Sequence, residues 1–171
     1  GLGDVYKRQL LWQGELSKEH FGDWLALDAR ANSCIGVTDV SLIASAAYAR
    51  AADLAARIAD VLDRDYDARN FRALHKKIKR AYQREFITAT GRLAVNTQTA
   101  HILTLRFDLC EEEHRDRIAN DLFRLIEENN DCLTTGSAGT PSVLSLLTSL
   151  GRHDLAARVL FRDDMPSWLY A

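Results

Sequence analysis

The chain has 171 residues, 47% of them hydrophobic and 27% charged, with a net charge of −2. That is the size and balance of one globular domain, or of part of a larger one, with enough chain to enclose a core. Nothing gathers into a basic face for nucleic acid, and no apolar run is long enough to cross a bilayer.

The opening stretch GLGDVYKRQ (residues 1–9) has no cap, no apolar period and no secretory core. Back-translated, it spells a string resembling a sequencing-library adapter whose second half is a transposon end. We therefore read residues 1–9 as non-native and residues 10–171 as the native part. From Thr38 the pattern turns helical, with Thr38 or Asp39 as N-cap. The first helix follows, with Ile43, Ala46, Ala47, Leu54, Ile58, Val61 and Leu62 predicted on one buried stripe. A second helix is expected over residues 67–86. Phe71, Leu74, Ile78, Tyr82 and Phe86 form its stripe, and Lys76, Lys77, Lys79 and Arg80 lie on its other face.

Residues 88–91 break that helix, and residues 92–95 read as a brief extended piece. The third helix, over residues 97–109, is apolar in nearly every direction. A fourth opens on Glu111, Glu112 and Glu113, acids suited to the positive end of a helix dipole. Its stripe is Ile118, Leu122, Leu125 and Ile126. The fifth follows Pro141 and stops at Gly151, and a sixth spans residues 153–161 with Leu155, Val159 and Leu160 inward.

Helices one, three and five are apolar on most sides, whereas two, four and six are amphipathic. The first kind needs cover all round and the second faces water. Their alternation predicts an all-α fold of helical hairpins in two layers, an open solenoid or a closed toroid. The inner helices then run parallel and start at one end. Three unusual segments precede them: FGDWLALD (residues 21–28), AVNTQTA (residues 94–100) and LTTGSAGTP (residues 133–141). PSWLYA (residues 166–171) stands where a next inner helix would begin. All four converge on one rim, a natural place for a concave site.

The candidate binding residues there are Trp24, Asp23, Gln98 and Thr135. An indole offers a flat apolar face to a sugar ring, and carboxylates and amides pair with its hydroxyls. Taken alone, Trp24 reads as a core or loop anchor, and Asp23 also reads as a cap or turn residue. Cys34, Cys110 and Cys132 match no zinc or disulfide spacing, and the five histidines show no ligand spacing. Reduced thiols favour a cytoplasmic location, with an upstream signal left open.

In order, FGDWL, TDVSLIASAAYARAADLAARIADVL, TQTAHILTL, LTTGSAGTPSVLSLL, SLGRHDLAARVL and MPSWLYA resemble the catalytic domain of bacterial α-L-rhamnosidases. The resemblance implies about half of an (α/α)6 toroid. It also implies removal of terminal rhamnose by inversion, with two carboxylates flanking the sugar, and no metal or cofactor. Trp24 is then a wall of the rhamnose pocket with Asp23 beside it. The family's acid lies in an acidic, Arg-rich stretch upstream of GDWL, and its base is a glutamate after the segment resembling PSWLY. Neither has an equivalent in this sequence. Around Ser137 and Ala138 the family often has a bulkier side chain, which changes the local pocket shape. The expectation is an internal fragment, inactive by itself, of a hydrolase acting on rhamnose-containing carbohydrate, with no nucleic-acid or membrane partner. The alternative is a non-catalytic helical-hairpin scaffold that binds a protein along its groove.

Overall fold

The computed structural model describes residues 10, 11 and 20–170. Residues 1–9, read above as non-native, lie outside the described residues. Six helices are named: α1 (Val40–Val61), α2 (Asp65–Phe86), α3 (Gln98–Arg106), α4 (Glu112–Glu127), α5 (Thr140–Ser149) and α6 (His153–Leu160). The caps explain several boundaries. Asp39 Oδ1 accepts the backbone N–H of Ser41 at 2.7 Å and of Leu42 at 3.4 Å, which starts α1. Thr97 Oγ1 accepts the N–H of Ala100 and starts α3. Pro141 sits in the first turn of α5, and Gly151, at φ +77°, lets the chain leave that helix.

The helices pair as hairpins: α1 packs on α2, α3 on α4 and α5 on α6, while α3 also contacts α1 and α5. The inner row therefore has α3 in the middle, where every residue from Gln98 to Leu105 is buried. Helices α2, α4 and α6 bury one stripe each. Tyr82 of α2 is fully buried, and its hydroxyl meets Thr104 Oγ1 of α3 at 2.8 Å, joining two layers of the core. The segment expected to be extended closes a small loop instead. Ile87 and Leu93 form an antiparallel bridge around the turn at residues 88–92.

The face of α1 differs from expectation. Ile43 and Ala46 are buried, but Ala47, Leu54, Ile58, Val61 and Leu62 face out, Ile58 at 58% and Val61 at 83% exposure. The buried face is the alanine one: Ala49, Ala52, Ala56 and Ala59. Small side chains there leave room for the larger Ile78, Tyr82 and Phe86 of α2, so the interface interdigitates small against large. Phe71 of α2 and Leu160 of α6 also lie further out than their stripes predicted, while Leu74 packs partly buried against the core.

Candidate functional site

The segments before α1, α3 and α5 meet at one end of the inner row. Thr38 Oγ1 and Thr97 Oγ1, just ahead of α1 and α3, lie 2.7 Å apart. Asp23 does most of the joining. Its Oδ2 accepts Thr99 Oγ1 at 2.5 Å and the N–H of Gly136 at 2.9 Å, and its Oδ1 accepts the N–H of Ala138 at 2.8 Å. At 1% exposure the carboxylate is out of water, and these charge-assisted bonds replace its hydration. The backbone continues the join: Leu27 N–H donates to Thr134 O and Ser137 N–H to Trp24 O. Gly136 is required by that crossing, because a Cβ there would stand 2.3 Å from Trp24 O.

Gln98 makes a second buckle. Its Oε1 accepts Thr134 N–H at 2.9 Å, and its Nε2 donates to Cys132 O at 3.0 Å and Leu125 O at 3.3 Å. Thr135 Oγ1 pairs with Thr140 Oγ1 at 2.7 Å. His101 is buried under this layer with Nδ1 at 2.8 Å from Thr97 O, so that nitrogen carries the proton; burial lowers its pKa and keeps the ring neutral. Burial also raises the pKa of Asp28, against the opposing hydrogen bond from Val37 N–H and with a smaller push from the charge of Asp23.

Between the loops lies a cavity of about 240 Å³. Leu25, Leu27, Leu133 and Trp168 give it apolar walls, and Thr135 and Thr140 give it hydroxyls. Leu25 holds φ +60°, an unusual conformation for a bulky residue, fixed by the bond from its N–H to Cys34 O. Asp131 also lines the cavity but is committed to Arg158, with Oδ2 at 2.8 Å from Nε. Its volume is below the roughly 300–1,000 Å³ usual for ligand pockets. No grouping of His, Cys, Asp and Glu able to hold a metal occurs among the described residues.

A family model described as the bacterial alpha-L-rhamnosidase 6 hairpin glycosidase domain matches residues 3–171. The chain belongs to that family. Its three hairpins are about half of a six-hairpin toroid. An alpha-L-rhamnosidase of Streptomyces avermitilis is 37% identical over 150 residues, covering 88% of this chain and 14% of the relative. One from Formosa agariphila is 34% identical over 153 residues, covering 88% and 16%. The chain thus spans about a sixth or less of the length of these curated relatives. Among solved structures, native α-L-rhamnosidase from Aspergillus terreus superposes with a TM-score of 0.86 at 31% identity, covering 91% of this chain and 18% of that one. The Streptomyces avermitilis enzyme complexed with L-rhamnose gives 0.82 at 33% identity, covering 99% and 16%.

For this rhamnosidase-family chain the structure brings all four sequence-selected residues to one rim but gives them unlike surroundings. Asp23 and Gln98 point inward and spend their polar atoms on the protein itself, so the geometry supports a holding role for both. Thr135 lines the cavity. Trp24 stands outside that lining at 38% exposure, edge-on to Phe21 with ring centroids 5.8 Å apart. Trp168, in the PSWLYA segment and not among the candidates, is the indole that faces the cavity, at 43% exposure. Leu25 and Leu27, not among the candidate residues, also line the cavity. Alternation within WLAL, with Ala26 buried between them, is the one signal that marks them.

Proposed function

We propose that this chain is part of the catalytic domain of an inverting glycoside hydrolase that removes terminal α-L-rhamnose, and that its rim forms one side of the sugar site. The observation that carries the reading is the cavity itself: a mostly apolar pocket with an indole wall and two threonine hydroxyls, clamped open by Asp23 and Gln98. Such a lining suits a 6-deoxy sugar, whose methyl and ring C–H faces are apolar and whose hydroxyls need a few placed partners. In this proposal Trp168 and Thr135 contact the sugar, Trp24 forms an outer wall, and Asp23 and Gln98 set the loops. The rim carboxylates Asp23, Asp28 and Asp131 each accept a bond within the fold, Asp28 from the N–H of Val37. The acid and base that an inverting mechanism needs on opposite faces of the sugar are therefore assigned to other residues of the whole enzyme.

Saturation-transfer NMR with L-rhamnose tests the reading. The expected result is transfer to the sugar's methyl and ring protons, reduced in Trp168→Ala and Trp24→Ala while the helical circular dichroism is unchanged. Transfer of equal strength from both variants would overturn it.

A further inference from the structure

The basic face of α2 was singled out in the sequence, and the rim leaves it unused. It borders a cleft of about 510 Å³ on the outer side of the molecule. One wall is the last two turns of α2, with Arg80, Gln83 and Arg84. A second is the turn after α2, with Ile87 and Thr88. The third is the start of α4, with Glu111 and His114. The turn leans on α4 at one point: a Cβ on Gly91 would lie 2.6 Å from His114 Nδ1, and Gly91 sits at φ +78°. Glycine at this position lets the loop close against the imidazole and gives the cleft a floor.

Three observations coincide here. Arg80 and Arg84 are one helical turn apart, and neither has an ion pair within 4 Å among the described residues. Arg84 Nε instead donates to Arg80 O at 3.2 Å, which turns the guanidinium back along the helix toward its like-charged neighbour. Like charges at this spacing oppose helix formation. Between them, Gln83 Nε2 is buried with no hydrogen-bond partner among the described residues. A buried amide donor left unpaired costs the fold the hydration it has given up. The cleft thus presents two guanidinium forks, with the unmet Gln83 amide N–H buried just behind its wall, and one carboxylate, Glu111, across from them.

We propose that this cleft binds a small oxyanion, a carboxylate or phosphate group held by Arg80 and Arg84 with Gln83 Nε2 as an additional donor. Planar forks match the oxygens of both groups, and an anion removes the Arg–Arg repulsion while satisfying the amide. Glu111 faces the remainder of the ligand, where it accepts from hydroxyls and disfavours a second negative charge. The site lies on the outer helices and is independent of the sugar reading.

The test is an NMR titration of the 171-residue chain with inorganic phosphate, acetate and D-glucuronate, each against chloride at matched ionic strength. The expected result is a saturable shift of the Gln83 side-chain amide and the Arg80 and Arg84 Nε signals with at least one of the three. Affinity should fall about tenfold or more, the scale of one charge-assisted contact, in the double variant Arg80→Gln/Arg84→Gln and in Gln83→Leu. Arg57→Gln, on α1, which contributes no residue to the cleft, should leave it unchanged. Phosphate binding tightest identifies a phosphorylated ligand, and glucuronate binding tighter than acetate identifies an acidic sugar. Shifts that follow chloride without saturating, or saturation untouched by all of the cleft variants, would overturn the proposal.

Discussion

Asp23 shows how much one buried side chain can organise. Its two oxygens collect donors from the α3 start and from the loop before α5. Asp23→Ala orphans the Gly136 and Ala138 amides in a buried setting. The expected loss is on the order of 3 kcal/mol, at about 1–3 kcal/mol for an orphaned group, read as a lower denaturant midpoint. Gly136→Ala should cost about 1–3 kcal/mol by overpacking, since its new carbon meets Trp24 O. A midpoint within error of wild type for both would mean that the crossing is not a point of strain. The sequence marked Asp23 and Gln98 as rim groups able to pair with a sugar's hydroxyls. It did not reveal that the partners are this chain's own backbone groups, because backbone amides carry no sequence signature. The sequence favoured Trp24, but the loops aim Trp168 at the cavity and leave Trp24 outside its lining.

At the scale of elements, starts and stops were legible because they rest on local chemistry: Asp39, Thr97, Pro141 and Gly151 act within a turn of themselves. The face of α1 was not. With alanine on most sides, its 3.6-residue period has no contrast, and counting large side chains selected the flank that the hairpin leaves open. The choice was made by α2, whose bulky stripe requires small neighbours. The two faces should therefore respond oppositely. Ile58→Lys is expected to change stability by no more than about 0.5 kcal/mol, as at other exposed positions, and to reduce self-association in light scattering by breaking an apolar patch. Ala52→Leu, on the buried face, should cost about 1–3 kcal/mol. A larger loss from Ile58→Lys than from Ala52→Leu would reverse the assignment of faces.

For the whole molecule, two sets of groups make the fold sensitive to acid. His101 has its pKa lowered by burial, and Asp154 has its pKa lowered chiefly by the hydrogen bond from Arg152. In both, the folded state binds the proton less tightly than the unfolded chain, so the stability they add is present above the unfolded pKa and lost as pH falls toward the folded one. Melting temperature should accordingly decline in two stages on acidification, first below the histidine value of 6.5 and again below the aspartate value of 3.8. Asp28, with its pKa raised by burial, offsets part of the second stage. Scanning calorimetry against pH checks this. His101→Gln should flatten the first stage, and added salt should shrink the second, since the ion pairs around Asp154 face water. A single step unaffected by either change would remove these groups as the cause. The two-layer order and the meeting of the connectors on one rim were readable from alternating helix types, but the bonds that fasten the rim were not, because they join distant parts of the chain. Asp23 meets amides 113 and 115 positions further along. Such a closure carries a large entropic toll and forms late. During synthesis the Asp23 carboxylate therefore waits in water until 113 further residues have been added, since its first partner on the loop before α5 does not exist before then.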